Sequence, residues 1–182
     1  LFHVNLTDNA SVNVYKLGQN GLAVSDTPNA RIEFNLDSLE TIGHLELDDK
    51  IKEHLSTGHL IFDRNENCFF GISLSLGLIS KYIIWKINAA TLVRELVATV
   101  PVLSPSYMHS FALSSEFIIL TENPTKIDFV SAINPKITLQ KILATNPKRK
   151  TQFTLVSRSN SKRVLKCKAD ETFVCFHHAF RG

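Results

Sequence analysis

Glycine, proline and cysteine are all scarce in this chain, at seven, six and three of 182 residues. So few glycines and prolines exclude a collagenous or low-complexity chain. Hydrophobic residues make up 44% and charged residues only 20%, which excludes the composition of a disordered segment. The cysteines, Cys68, Cys167 and Cys175, are odd in number and lack CxxC spacing. They form neither a disulfide framework nor a zinc ribbon, and read as reduced thiols of an intracellular, cytoplasmic protein. No apolar run reaches the roughly 18–20 residues that cross a bilayer. The longest, Cys68 to Leu78, is interrupted by Gly71, Ser73, Ser75 and Gly77, so a soluble chain is expected. A start at Leu1-Phe2-His3, with no Met and no signal pattern, reads as an internal piece of a longer polypeptide.

Acidic residues are missing from one long stretch. Between Phe129 and Ala169 there are ten Lys or Arg and no Asp or Glu, densest at Lys148-Arg149-Lys150 and Lys162-Arg163. Such a stretch suits nucleic acid, an anionic membrane surface or simply a solvated hairpin. No aromatic platform is interleaved with the charges, so nucleic acid is not an expected partner.

What is present is strand. Three segments share one layout of short apolar strands separated by polar turns. The first runs Val12–Leu17, Leu22–Ser25 and Arg31–Phe34; the second His59–Phe62, Cys68–Ile72 and Tyr82–Ile87; the third opens at His109 and continues through Glu116–Thr121 and Thr125–Phe129. Strand openings at Asn13, His59 and His109 are 46 and 50 residues apart. That is near the roughly 40–50 residues of a propeller blade, each blade a four-stranded antiparallel sheet around a central channel. Ile42–Leu47 reads as an outer strand, and Gln152–Val156 with Val164–Cys167 as a closing hairpin. The expectation is all-β: a single incomplete β-propeller domain over residues 1–182, with three to four blades.

The innermost strand of a blade lines the axis, so His59 and His109, at equivalent openings, converge. Phe176-His177-His178 follows the last hairpin at a similar point. Neutral imidazole is the usual ligand for zinc, iron, copper or nickel. Adjacent residues of an extended chain face opposite ways, so at most one of His177 and His178 enters a shared site. His3, His44 and His54 occupy no repeat position and read as structural or surface residues.

Several blocks resemble the carotenoid oxygenase family, in particular its animal branch of carotene cleavage oxygenases and the retinal pigment epithelium retinoid isomerohydrolase. Asp8-Asn-Ala-Ser-Val-Asn-Val-Tyr15 resembles the DNAxVNVY strand, and Asn35-Leu-Asp-Ser-Leu-Glu-Thr41 the NPETLET turn. Ser106-Tyr-Met-His-Ser-Phe111 with Glu122-Asn-Pro124 resembles SYxHSF…VExP, and Phe173–His178 resembles F-x-x-FHH. The resemblance implies a seven-bladed propeller with Fe(II) on its axis. His59, His109 and His177 match three of the four ligand histidines, and the fourth lies outside this chain. It also implies that Asp26 stands where a glutamate accepts a ligand's ring N–H.

The implied activity is oxidative cleavage of a polyene C=C bond with dioxygen, turning a carotenoid or retinoid substrate into aldehydes. The alternatives are a retinoid isomerohydrolase on the same scaffold and a truncated, non-catalytic member. Phe69, Phe70 and Phe111 are candidates for a substrate wall or for core. A membrane-derived substrate implies peripheral contact with intracellular membranes, served by the basic stretch. The chain departs from the family at Thr57-Gly-His-Leu-Ile61, where T-A-H-P-H is usual, at Asp26, and after His178, where Ala179-Phe-Arg-Gly182 replaces I-N-A-Y-E.

Overall fold

The computed structural model describes residues 9–28, 30–47, 51–128 and 143–179. Among these there is strand and no α-helix. They divide into two compact units, one of 9–75 with 82–99 and the other of 76–81 with 100–179.

The first unit opens with a four-stranded antiparallel sheet, β1 (Asn13–Leu17), β2 (Asn20–Val24), β3 (Arg31–Phe34) and β4 (Thr41–His44), in that order. A second sheet, most of it in this unit, contains β5 (Leu55–Ser56), β6 (Ile61–Asp63), β7 (Cys68–Ser75), β8 (Ser80–Asn88) and β9 (Arg94–Val102). Both β5 and β6 pair antiparallel with β7. The inner strand of this blade is therefore one strand broken at residues 57–60. Cys68 to Leu74 are buried without interruption, the pattern of a strand covered on both faces.

Alternate residues Leu22 and Val24 of β2, with Leu17 of β1, join Phe69, Ile83, Trp85 and Ile87 in one core. Each such side chain contributes about 1.5–3 kcal/mol by leaving water. Gly71 is required here, because a Cβ at that position would overlap the Trp85 indole. Trp85 Nε1 donates to Ser73 Oγ at 2.7 Å, and the guanidinium groups of Arg31 and Arg94 lie 5.4 and 5.2 Å from its ring centre. Both arginines bind Glu53 Oε1, at 2.6 and 2.8 Å, and the Ser73 hydroxyl donates to Oε2.

The second unit carries β10 (Ala112–Leu113), β11 (Phe117–Glu122), β12 (Thr125–Ile127), β13 (Leu143–Thr145), β14 (Gln152–Ser157) and β15 (Val164–Lys168). Its four-stranded sheet runs β10-β11-β14-β15, while β12 and β13 form a separate two-stranded ribbon. This corrects two sequence expectations. The Thr125–Phe129 strand leaves the blade, and the closing hairpin supplies the blade's two outer strands. Ile118 and Leu120 of β11 are fully buried, and β11 pairs with β10 on one edge and β14 on the other. Pro124 has no N–H with which to extend the ladder, and the chain turns away there. Phe129 lies outside the described residues.

Two smaller expectations also change. Arg94–Val102 is a strand that the apolar pattern did not reveal, since only Ala98 and Val100 of it are buried. His109 does not open a strand: its blade's inner strand starts at Ala112, and the residues before it make one isolated bridge, Ser106 with Lys126.

Candidate metal centre

His59 sits in the break between β5 and β6, and the main chain of residues 58–60 is held by three side chains of its own unit. Thr57 Oγ1 accepts the His59 amide at 3.1 Å. Asp26 Oδ1 accepts the Gly58 amide at 2.8 Å. The Tyr15 hydroxyl donates to the Gly58 carbonyl at 3.0 Å and accepts the Leu60 amide at 2.8 Å. Asn13 Nδ2 donates to that same hydroxyl at 2.7 Å. Burial pushes the Tyr15 hydroxyl up to about 12, against the opposing pull of the Leu60 and Asn13 donors. The backbone passes so close to β1 that a Cβ on Gly58 would come within 2.8 Å of Val12 Cγ1. Leu60 matters at this point: a proline there could not donate to Tyr15. Asp26 thus acts on the peptide next to His59.

The second unit brings His109 and His177 together. Their ring centres are 5.1 Å apart with planes at 79°. His109 also stacks on Tyr107 at 6.3 Å and meets the Phe176 ring edge-on at 5.8 Å. His109 is half-buried and His177 exposed. Two imidazoles close together offer nitrogen donors of the type that suits zinc, copper, iron or nickel.

The neighbouring imidazole is engaged elsewhere. His178 Nδ1 lies 2.8 Å from Ser110 Oγ, and Nε2 lies 2.8 Å from Thr121 Oγ1. Burial, then the adjacent His177, lowers its affinity for a proton. His177, and not His178, is the one turned to His109. Cys175 Sγ donates to the His177 carbonyl at 3.1 Å, while burial raises the thiol's pKa.

Sequence reasoning left several of these residues without a role. Ser110 and Asn123 lay inside recognised blocks, and Tyr15 ended one, yet their hydrogen bonds reach partners 43 to 68 residues away. Thr121 ended an expected strand, with no role read for its hydroxyl. Phe69, Phe70 and Phe111 are buried at 7%, 2% and 1% exposure, which makes them core residues. His44 is exposed at the end of β4, His54 is half-buried, and His3 lies outside the described residues.

The antiparallel sheets define part of a β-propeller. The retinal pigment epithelial membrane protein family model matches residues 1–180, and the chain belongs to that family, the carotenoid oxygenases. It is 28% identical over 189 residues to β,β-carotene 15,15'-dioxygenase of Gallus gallus, covering 94% of this chain and 36% of the relative. It is 31% identical over 124 residues to a carotenoid dioxygenase of Neurospora crassa, covering 61% and 19%. Cobalt-substituted Synechocystis ACO shares the fold with a TM-score of 0.76 at 20% identity, covering 98% of this chain and 38% of that one. The lignostilbene dioxygenase of Pseudomonas brassicacearum gives 0.72 at 20% identity, covering 91% and 34%. The chain spans about a third of the length of its first curated relatives.

Proposed function

We propose that this chain is part of a non-haem Fe(II)-dependent carotenoid oxygenase, in which His59, His109 and His177 hold the iron. The reaction is cleavage of a polyene C=C bond of a carotenoid or retinoid with dioxygen, giving apocarotenoid or retinoid aldehydes. The edge-to-face pairing of His109 with His177 carries this reading, and the dioxygenase relatives supply its direction. When bound, the iron supplies the redox chemistry that dioxygen activation requires. The chain's residues bind and orient. The imidazoles are ligands and move no proton, Tyr15 and Asp26 fix the peptides beside His59, and Ser110 and Thr121 keep His178 away from the metal.

The protein is proposed to be cytoplasmic, with peripheral contact to intracellular membranes from which an apolar substrate is drawn. The exposed side chains of Lys148, Lys150, Lys162, Arg163, Lys166 and Lys168 support attraction to an anionic headgroup surface, at about 1 kcal/mol per charge near it. Neutralising Lys148, Arg149 and Lys150 should weaken binding to phosphatidylserine vesicles; unchanged binding removes the membrane role.

Product analysis under isotope-labelled dioxygen tests the reaction on the iron-loaded protein. Label in the aldehydes, lost in His109→Ala, is the expected result. Ester turnover without dioxygen uptake would replace the reading with an isomerohydrolase. Iron far below one equivalent and no turnover would leave a non-catalytic family member.

A further inference from the structure

We infer that His178 is a positioning residue that locks the segment carrying His177, so that His177 faces His109. Residues 169–179 belong to no strand, so no ladder fixes their direction. Their main chain is instead strung on side chains from the same unit. Thr151 Oγ1 donates to the Phe173 carbonyl at 2.6 Å and accepts the Phe173 amide at 3.0 Å. Asn123 takes both polar groups of Cys175, accepting its amide at 2.9 Å and donating to its carbonyl at 3.1 Å. Ser110 Oγ donates to the Phe176 carbonyl at 2.6 Å. All of these anchors precede His177.

His178 is the anchor on the far side. The single Ser110 hydroxyl proton is committed to Phe176, so the oxygen accepts from His178, and Nδ1 carries the ring proton. Nε2 then offers its lone pair to the Thr121 hydroxyl. Both ring nitrogens are consumed, which makes His178 a poor ligand and a good peg. A ligand imidazole held between two fixed points loses less conformational freedom when it binds, and partners that orient a ligand typically change metal affinity by about 10–100-fold. Thr121 is 2% exposed and Ser110 6%, so neither hydroxyl has water as an easy substitute.

The inference rests on the proposed role of His177 as a ligand, so two readouts are needed, one of them free of metal. The first is the proton–proton Overhauser contact between the His109 and His177 rings in the metal-free full chain. The second is cobalt(II) affinity, followed by its visible absorption. His178→Leu should abolish the ring contact and weaken cobalt binding about 10–100-fold, while His178→Gln, which keeps a donor and an acceptor, should restore part of both. Thr121→Val, which removes one bond only, should give a smaller loss in the same direction and covers the case in which His178→Leu does not fold. Persistence of the ring contact at full strength in every one of these variants that folds overturns the inference. Absence of cobalt binding by the unmodified chain would sink the metal reading instead, and the ring contact would still decide the role of His178.

Discussion

Tyr15 places one hydroxyl between the carbonyl before His59 and the amide after it, at 3.0 and 2.8 Å. Removing that oxygen leaves two backbone groups without this partner in a half-buried site, which costs about 1–3 kcal/mol. Tyr15→Phe should therefore lower stability by that order in urea unfolding. It should also weaken cobalt binding, whereas a change at His44 should do neither. Glu53 yields a prediction of a different kind. Burial alone would raise its pKa, but Arg31, then Arg94 and Ser73, outweigh burial and hold the carboxyl below its ordinary value of 4.5. A carboxylate whose folded pKa is depressed adds stability above the unfolded value and loses it as pH falls through the folded one. Stability should thus be steady above pH 4.5 with respect to this group and decline below it. Glu53→Gln should abolish that decline and cost about 3–5 kcal/mol near neutral pH, because two buried guanidinium groups lose their anion. Trp85, the only tryptophan, sits against both arginines and reports the unfolding by fluorescence.

At the scale of elements, His59 and His109 both lie on irregular chain just ahead of an inner strand. His59 precedes β6 by two residues and His109 precedes β10 by three. Irregular backbone leaves carbonyls and amides to be satisfied by side chains, and Tyr15, Asp26 and Thr57 do so around His59. The pattern of short apolar runs between polar turns made β1, β2 and β3 legible in the sequence, and Leu17, Leu22 and Val24 are buried in the first two. It could not show that β11 pairs with β14, since Ile118 opposite Val156 and Leu120 opposite Thr154 join residues more than thirty positions apart. Nor could it show β9, in which Leu96 is exposed and only Ala98 and Val100 are buried. The close fit of β7 and β8 gives a further expectation. Gly71→Ala must displace the Trp85 indole, and overpacking of this kind costs about 1–3 kcal/mol, readable as a lower thermal midpoint with the strand content unchanged.

For the molecule as a whole, the block motifs made the family legible and singled out the candidate histidines, while hydroxyls such as Thr121 and Thr151 were invisible because their partners come from distant chain. The charge distribution, with its acid-free stretch ending on the exposed strand β15, was equally plain in the sequence. The central proposition is that His59, His109 and His177 hold a single iron. X-ray absorption at the iron edge of the anaerobically loaded chain tests it most directly. The account predicts one iron with a multiple-scattering signature of three imidazoles, falling to two in each of His59→Ala, His109→Ala and His177→Ala and unaltered in His44→Ala. Iron bound through oxygen donors alone, or a spectrum indifferent to all three substitutions, would contradict it.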